Sequence, residues 1–372
     1  MGAGEDGRRL NLANEMIGTG LDLHAGPNLF GLCVFLICAF ASVANGEEAE
    51  ASLWNTYKTN FLAPQGRIID TGNHGISHSE GQGYGMLLAE SQGDRETFEL
   101  ILNWTLKNLS RPKDHLFSWR WNPDKGGGQV DDPNDATDGD LLIAWALARA
   151  GEHWRNSSWS DSARMIAQDI RTKLVRKSDY GLMLLPGELG FSRPDGYIVN
   201  LSYWIFPAFR ALNKINTGAV WQELETSGLT LLRKARFSSW MLPPDWLLVE
   251  GAKLRVAPDF PPTYGYNAVR IPLYQVWGGI TKVLYYENFR RYASANDGDP
   301  AATVTLKTGE LTKTAAPPGM LAIYQLIAGT GDLDPAALAA PYKEITPGES
   351  YFSASLGLLS DLAARESMTH VR

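Results

Sequence analysis

The chain has 372 residues, 44% of them hydrophobic, and a formal charge of −7. That is enough apolar material for one large domain or two ordinary ones, which excludes disorder for the bulk of the sequence. A phosphate-binding surface needs concentrated Lys and Arg, and no such block stands out, so a nucleic-acid partner is excluded as well.

Residues 29–44 form an apolar run broken only by Gly31 and Ser42, ending in Ser42-Val43-Ala44, a small-x-small pattern that a signal peptidase accepts. The run is too short for a comfortable membrane span. The stretch before it carries Arg8 and Arg9 but also Glu5, Asp6, Glu15 and Asp22, so either translation starts downstream at Met16 or the segment stays as an anchor. The expectation is a leader over 1–44, a single domain over 45–372, and a secreted or periplasmic product. Both cysteines, Cys33 and Cys38, lie inside the run, so cleavage after Ala44 removes disulfide and thiolate chemistry and leaves a mildly acidic chain.

Helical periodicity dominates the remainder and convincing period-2 runs are scarce. Helices are predicted over 81–91, 95–109, 139–151, 160–175, 201–212, 220–235, 268–284, 319–326 and 350–364. Leu182–Leu185 and Trp246–Val249 read as short strands or loop contacts. The loops between helices hold much of the Gly, Pro and Asp, including Gly126-Gly127-Gly128, and long structured loops usually carry function. All 12 tryptophans follow the leader. Most suit a core, Trp145 among them, but Trp119, Trp121 and Trp246 have polar neighbours that suit a wet cleft, where flat indole faces match sugar rings.

Three segments could carry chemistry. The first is His78-Ser-Glu-Gly-Gln-Gly-Tyr-Gly-Met86, a glycine-rich entry to a helix. Ser77 and Glu80 fit a capping box, or Glu80 complements the helix dipole, but Gly81, Gly83 and Gly85 in the first turns are poor helix formers and point to a close approach of substrate or backbone. The second is Ala136-Thr-Asp-Gly-Asp140, where Thr137 or Asp138 reads as an N-cap. Asp131, Asp132, Asp135, Asp138 and Asp140 crowd together there; a calcium loop is the rival, although the spacing lacks EF-hand order. The third is Tyr264-Gly-Tyr-Asn-Ala-Val-Arg-Ile-Pro272, with Asn267 as an N-cap and Arg270 as a carboxylate partner. His74 and His78 make no zinc motif, and neither a phosphate loop nor a Gly-x-Ser-x-Gly elbow is present.

Together with Gly66-Arg-Ile-Ile-Asp70, Met183-Leu-Leu-Pro-Gly187, Gly190-Phe191, Ser202-Tyr203 and Pro244-Asp-Trp246, these segments resemble glycoside hydrolase family 8. The likeness runs from about Trp54 to the C-terminus and is strongest to bacterial endoglucanases associated with cellulose synthesis. It implies an all-α (α/α)6 barrel and inverting, endo-acting hydrolysis of β-1,4-glucan. It further implies Glu80 as proton donor, Asp138 as the acid at the scissile sugar (nucleophile or ring-holding residue), Tyr203 beside the water and Trp121 as a stacking platform. Asn267 and Arg270 complete the substrate site. No cofactor or metal is implied; the partner is a glucan chain met by a monomer, with a cellulose synthase complex as a further partner.

One departure concerns position 267, where many members have the Asp that activates water. Asn267 cannot accept that proton at neutral pH, and inverting chemistry needs a carboxylate roughly 6.5–9.5 Å from the acid. Glu188, Asp195, Glu250 and Asp259 are the local candidates. Two rivals stay open: a hydrolase of another β-1,4 glycan, chitosan or xylan, and a glucan-binding protein that has lost its base.

Overall fold

The computed structural model describes residues 51–280, 282–328 and 342–369, all within a unit spanning Ala49–Arg372. The expectations for 1–44, with the apolar run and both cysteines, lie outside the described residues.

The α-helices are α1 (51–61), α2 (Ser79–Ser91), α3 (Arg95–Leu109), α4 (Thr137–His153), α5 (Ser157–Asp169), α6 (Phe206–Ile215), α7 (Ala219–Lys234), α8 (Arg270–Trp277), α9 (Glu287–Ala293), α10 (Pro318–Ala328) and α11 (Tyr351–Thr369). Two burial patterns divide them. From Gly81 to Glu90, α2 is buried on every side, as are Thr137–Leu147 of α4 and the whole of α8. A helix apolar or small on all faces belongs inside a larger assembly. By contrast α3 buries Thr97, Phe98, Ile101, Leu102, Trp104 and Thr105, a stripe at helical spacing, and exposes the opposite face. With α6 and α10, which expose positions such as Arg210 and Gln325, the buried helices form a ring in the cyclic order α2, α4, α6, α8, α10, α11 and back to α2, while α3, α5, α7 and α9 lie against it from outside. The architecture is the expected (α/α)6 barrel.

Small residues set how closely the inner ring closes. A Cβ on Gly83 would sit 2.5 Å from the Leu142 Cβ, and one on Gly139 would sit 2.0 Å from the Ser79 Oγ. The glycines of the first segment therefore admit neighbouring helix rather than substrate. Gln82, fully buried, fastens the preceding loop: its Oε1 accepts from the Ile68 amide at 2.7 Å and its Nε2 donates to the Gly66 carbonyl at 3.1 Å and the Thr105 hydroxyl at 2.9 Å.

Short antiparallel sheets occupy the connections that lead from outer to inner helices. They comprise β1 (Ser77–His78), β2 (Ser118–Asn122) and β3 (Gln129–Asp135); the hairpin β4 (Val175–Ser178) and β5 (Gly181–Leu184); β6 (Ser192–Arg193), β7 (Gly196–Val199), β8 (Leu247–Glu250) and β9 (Lys253–Val256); and β10 (Thr263–Tyr264), β11 (Val304–Thr305) and β12 (Glu310–Leu311). Gly126–Gly128, all at positive φ, turn the chain between β2 and β3.

Several helix expectations are corrected at their ends. The helix predicted over 268–284 stops at Trp277, because Gly278 and Gly279, the latter at φ +67°, terminate it. Over 201–212 the chain forms a 3₁₀ turn, Leu201–Tyr203, and the helix proper starts at Phe206 with Pro207 in its first turn, where no backbone N–H is needed. The helix predicted to reach Val175 gives way to a π turn, Ile170–Leu174, before β4. Helices α1 and α9 were not foreseen.

Candidate active site

The functional residues converge because the ring presents the N-terminal ends of its helices at one end of the barrel. Glu80 is the second residue of α2 and Asp138 the second of α4, Arg270 opens α8, and Phe352 is the second of α11. A carboxylate in a first turn is favoured by the helix dipole and by unpaired amides there. Tyr203 is brought in by the 3₁₀ turn before α6. With Ser79, Trp119, Tyr266, Asn267 and His78 they line one open cavity of about 210 Å³.

The expected caps are not made as predicted. His78 caps α2, its Nδ1 accepting the Gly81 amide at 3.1 Å while its Nε2 lies 3.3 Å from the Asp70 carboxylate. No capping box forms, since the Ser77 hydroxyl donates to the Ile68 carbonyl instead. At α4 the cap position is Ala136; the Thr137 hydroxyl donates to the Leu185 carbonyl at 2.5 Å, and Asp138 accepts the Gly139 amide at 2.9 Å. Asn267 is not an N-cap either, because α8 begins three residues later.

Arg270 is the hub. It is 3% exposed, and its Nη1 contacts Glu80 Oε1 and lies 3.0 Å from Asp138 Oδ2, while its Nη2 donates to Asn267 Oδ1 at 2.9 Å. Tyr84 donates to Glu80 Oε1 at 3.2 Å and meets the Tyr274 hydroxyl at 3.0 Å. Because Glu80 and Asp138 share one nitrogen, their oxygens stand too close to be the roughly 6.5–9.5 Å acid and base pair of an inverting reaction. Asp138 is thereby not placed to be the base that activates water.

Burial is the largest influence on Asp138, pushing its carboxyl up to about 7, while the Gly139 amide, His78 and the Tyr203 hydroxyl pull the other way. Tyr203, buried beside that carboxyl, has its own hydroxyl held well above the usual range, by burial first and by Asp138 next. A carboxyl that titrates higher folded than unfolded keeps a proton the unfolded chain has lost. It therefore costs stability increasingly as pH rises from the ordinary carboxylate range to about 7. The difference in Tm between Asp138→Asn and wild type is expected to be more favourable to the variant at pH 8 than at pH 4; a difference independent of pH refutes this.

The other acidic residues of the second segment are divided among separate partners. Arg120 Nε pairs with Asp131 at 2.6 Å, Arg111 Nη1 with Asp135 at 2.6 Å, and Asp140 accepts the Phe117 amide at 2.8 Å. That division explains how the crowding is tolerated. The four candidates for a base are also corrected: Glu188 is held by Arg111 and by Lys113 at 2.6 Å, Glu250 pairs with Arg255, Asp259 pairs with Arg193, and Asp195 is exposed in the turn between β6 and β7. None of them lines the cavity.

Trp121 is not at the cavity. The Arg67 guanidinium lies 4.8 Å from the centre of its ring, Trp104 meets it edge-on at 5.5 Å, and Gly128 passes so close that a Cβ there would strike the indole. Trp119 lines the cavity instead, because register shifts on both sides of Arg120 break the alternation of β2. Trp246 is likewise packed, sandwiched between Phe191 at 5.7 Å and Phe260 at 4.4 Å. Tyr266, 48% exposed at the cavity rim and tilted against Phe352, is an aromatic lining residue that sequence reasoning missed. Trp119→Ala is expected to raise KM with little change in Tm, whereas Trp121→Ala lowers Tm by several degrees; the reverse pattern would restore Trp121 as the platform.

Sequence reasoning also missed the support beneath the third segment. Asp245, 7% exposed, accepts the amides of Gly265, Asn267 and Ala268 on Oδ1 at 3.1, 3.1 and 2.7 Å, and the Thr263 hydroxyl on Oδ2 at 3.0 Å. An acid amid the apolar residues of Pro244-Asp-Trp-Leu-Leu was the available signal.

What the barrel offers is acid chemistry within reach of flat rings, the province of helical-barrel glycosidases. The profile of the family described as Glycosyl hydrolases family 8 matches residues 30–366, and the chain belongs to that family. It is 39% identical over 334 residues to a probable endoglucanase of Novacetimonas hansenii, covering 88% of this chain and 94% of that one. Its fold is similar to that of the endo-beta-1,4-glucanase CMCax from Acetobacter xylinum, with a TM-score of 0.77 and 34% identity over 87% of this chain and 99% of the other. Endoglucanase Cel10 of Klebsiella pneumoniae, a family 8 glycosyl hydrolase, gives a TM-score of 0.79 at 34% identity, covering 85% and 99%.

Proposed function

We propose that this chain is an endo-acting hydrolase of β-1,4-linked glucan. Glu80 delivers the proton to the glycosidic oxygen, Asp138 holds the sugar at the cleavage point, and Trp119 and Tyr266 receive neighbouring rings. The observation that carries this is the Glu80–Arg270–Asp138 cluster in an open cleft rimmed by aromatic rings. The endoglucanases among its full-length relatives support the substrate. Acid catalysis on an acetal needs no redox group, and the cluster supplies it from side chains alone.

The test is carboxymethylcellulose with the purified chain. An endo-acting enzyme lowers viscosity well before many reducing ends appear, and that order is expected. Cleavage of chitosan or xylan in preference would move the substrate to one of those glycans. Inertness on all three, with cello-oligosaccharide still bound, would favour the glucan-binding reading that Asn267 motivates. Export to the periplasm or medium and work beside a cellulose synthase extend the proposal; the signal-like pattern at 29–44 supports export, and fractionation of expressing cells tests it.

A further inference from the structure

The amide of Asn267 has a fixed orientation, set by a chain of hydrogen bonds. Asn200 Oδ1 accepts both the Ser202 amide at 3.1 Å and the Ser202 hydroxyl at 2.7 Å, so its Nδ2 must point the other way. That Nδ2 donates to Asn267 Oδ1 at 2.9 Å, and Arg270 Nη2 donates to the same oxygen at 2.9 Å. Reversing the Asn267 amide would set its NH₂ against two donors. Its carbonyl is therefore anchored on buried partners, and its NH₂ is the half left for the cavity that the residue lines.

The carboxylates lining that cavity, Glu80 and Asp138, both belong to Arg270. We propose that Asn267 makes this a neutral seat for the attacking nucleophile, one that holds water without deprotonating it and admits a small preformed anion in its place. The inference rests on the hydrolase reading above. Water must lose a proton as it attacks, and an amide has no basic site for it. An anion needs no base, and the NH₂ group offers such an anion a hydrogen-bond donor. With azide, the terminal nitrogen bonds to C1 as the C1–O bond breaks. The electron pair of that bond goes to the leaving oxygen, which takes the proton of Glu80, and Glu80 is reprotonated from solvent. Attack opposite the leaving group gives an α-glycosyl azide and a shortened oligosaccharide.

The experiment compares the full chain and Asn267→Asp on cellopentaose, with sodium azide or with sodium chloride at equal ionic strength, reading products by mass and anomeric configuration. For wild type, azide is expected to raise turnover at least tenfold and to yield the α-azide. Asn267→Asp is expected to gain on the order of 10²-fold in hydrolysis by water, the scale of a restored general base, and to form no azide product. Wild type that hydrolyses cellopentaose equally in both salts without an azide adduct overturns the proposal and places a base elsewhere. No cleavage by either nucleophile brings down the hydrolase reading with it. Should Asn267→Asp fail to fold, the wild-type comparison alone decides.

Discussion

Glu80→Gln is expected to lower kcat on cello-oligosaccharides by at least a hundredfold while leaving Tm within a few degrees of wild type. A sugar alkoxide is a poor leaving group, and a positioned acid contributes roughly 10²–10⁴-fold to its departure. The glutamine keeps a carbonyl oxygen where Oε1 accepts from Tyr84 and Arg270, so the cluster retains its hydrogen bonds without the transferable proton. Leaving-group dependence separates this from a structural loss. A dinitrophenyl cellobioside departs without protonation, so the variant should lose far less on it than on cellopentaose. Equal losses on both substrates would mean that the variant fails for another reason and that Glu80 is not the acid.

Arg270→Met is expected to be the most damaging single change to stability. Arg270 is enclosed at the start of α8 and is the cation shared by Glu80 and Asp138. Removing one member of a buried ionic group leaves the other charges without compensation, at a cost of about 3–5 kcal/mol. The loss should shrink at low pH, because an Asp138 that has taken up its proton no longer needs the cation. Adding Asp138→Asn to Arg270→Met should return part of the lost Tm. An Arg270→Met protein as stable as wild type at pH 8, or a double variant worse than the sum of the two, would contradict the cluster as described.

Much of this site is legible in sequence because helix entries carry it. Glu80, Asp138, Asn267 and Arg270 each stand in a short segment opening a helix, and helix starts are where local chemistry is most explicit. That these starts meet at one end of a barrel came from the family resemblance, not from periodicity. What stayed hidden depends on neighbours far along the chain. Trp119 and Trp121 are two residues apart and look equivalent until the irregularity at Arg120 separates them. Trp246 follows a polar Asp245 in sequence, yet Phe191 and Phe260 close on both its faces. Strands of two to four residues have too few positions to display a period of two, so β6, β10 and β11 leave almost no pattern. Gly81, Gly83 and Gly85 were correctly read as marking a close approach, but only the positions of Leu142, Ile68 and Tyr351 show that protein occupies those spaces.

Closure of the inner ring also sets a timetable for synthesis. The first inner helix, α2, is buried all round and finds its second neighbour only in α11, which begins some 260 residues after α2 ends. At about 5–20 residues per second, a ribosome takes on the order of 10–50 s to supply that neighbour. Throughout that interval the flank of α2 that α11 will cover faces solvent or a chaperone, and Phe352 has not yet arrived beside Glu80. A nascent chain thus has an incomplete cleft until its last inner helix is made, and stalling or truncation before Tyr351 should yield aggregation in place of a partly active enzyme.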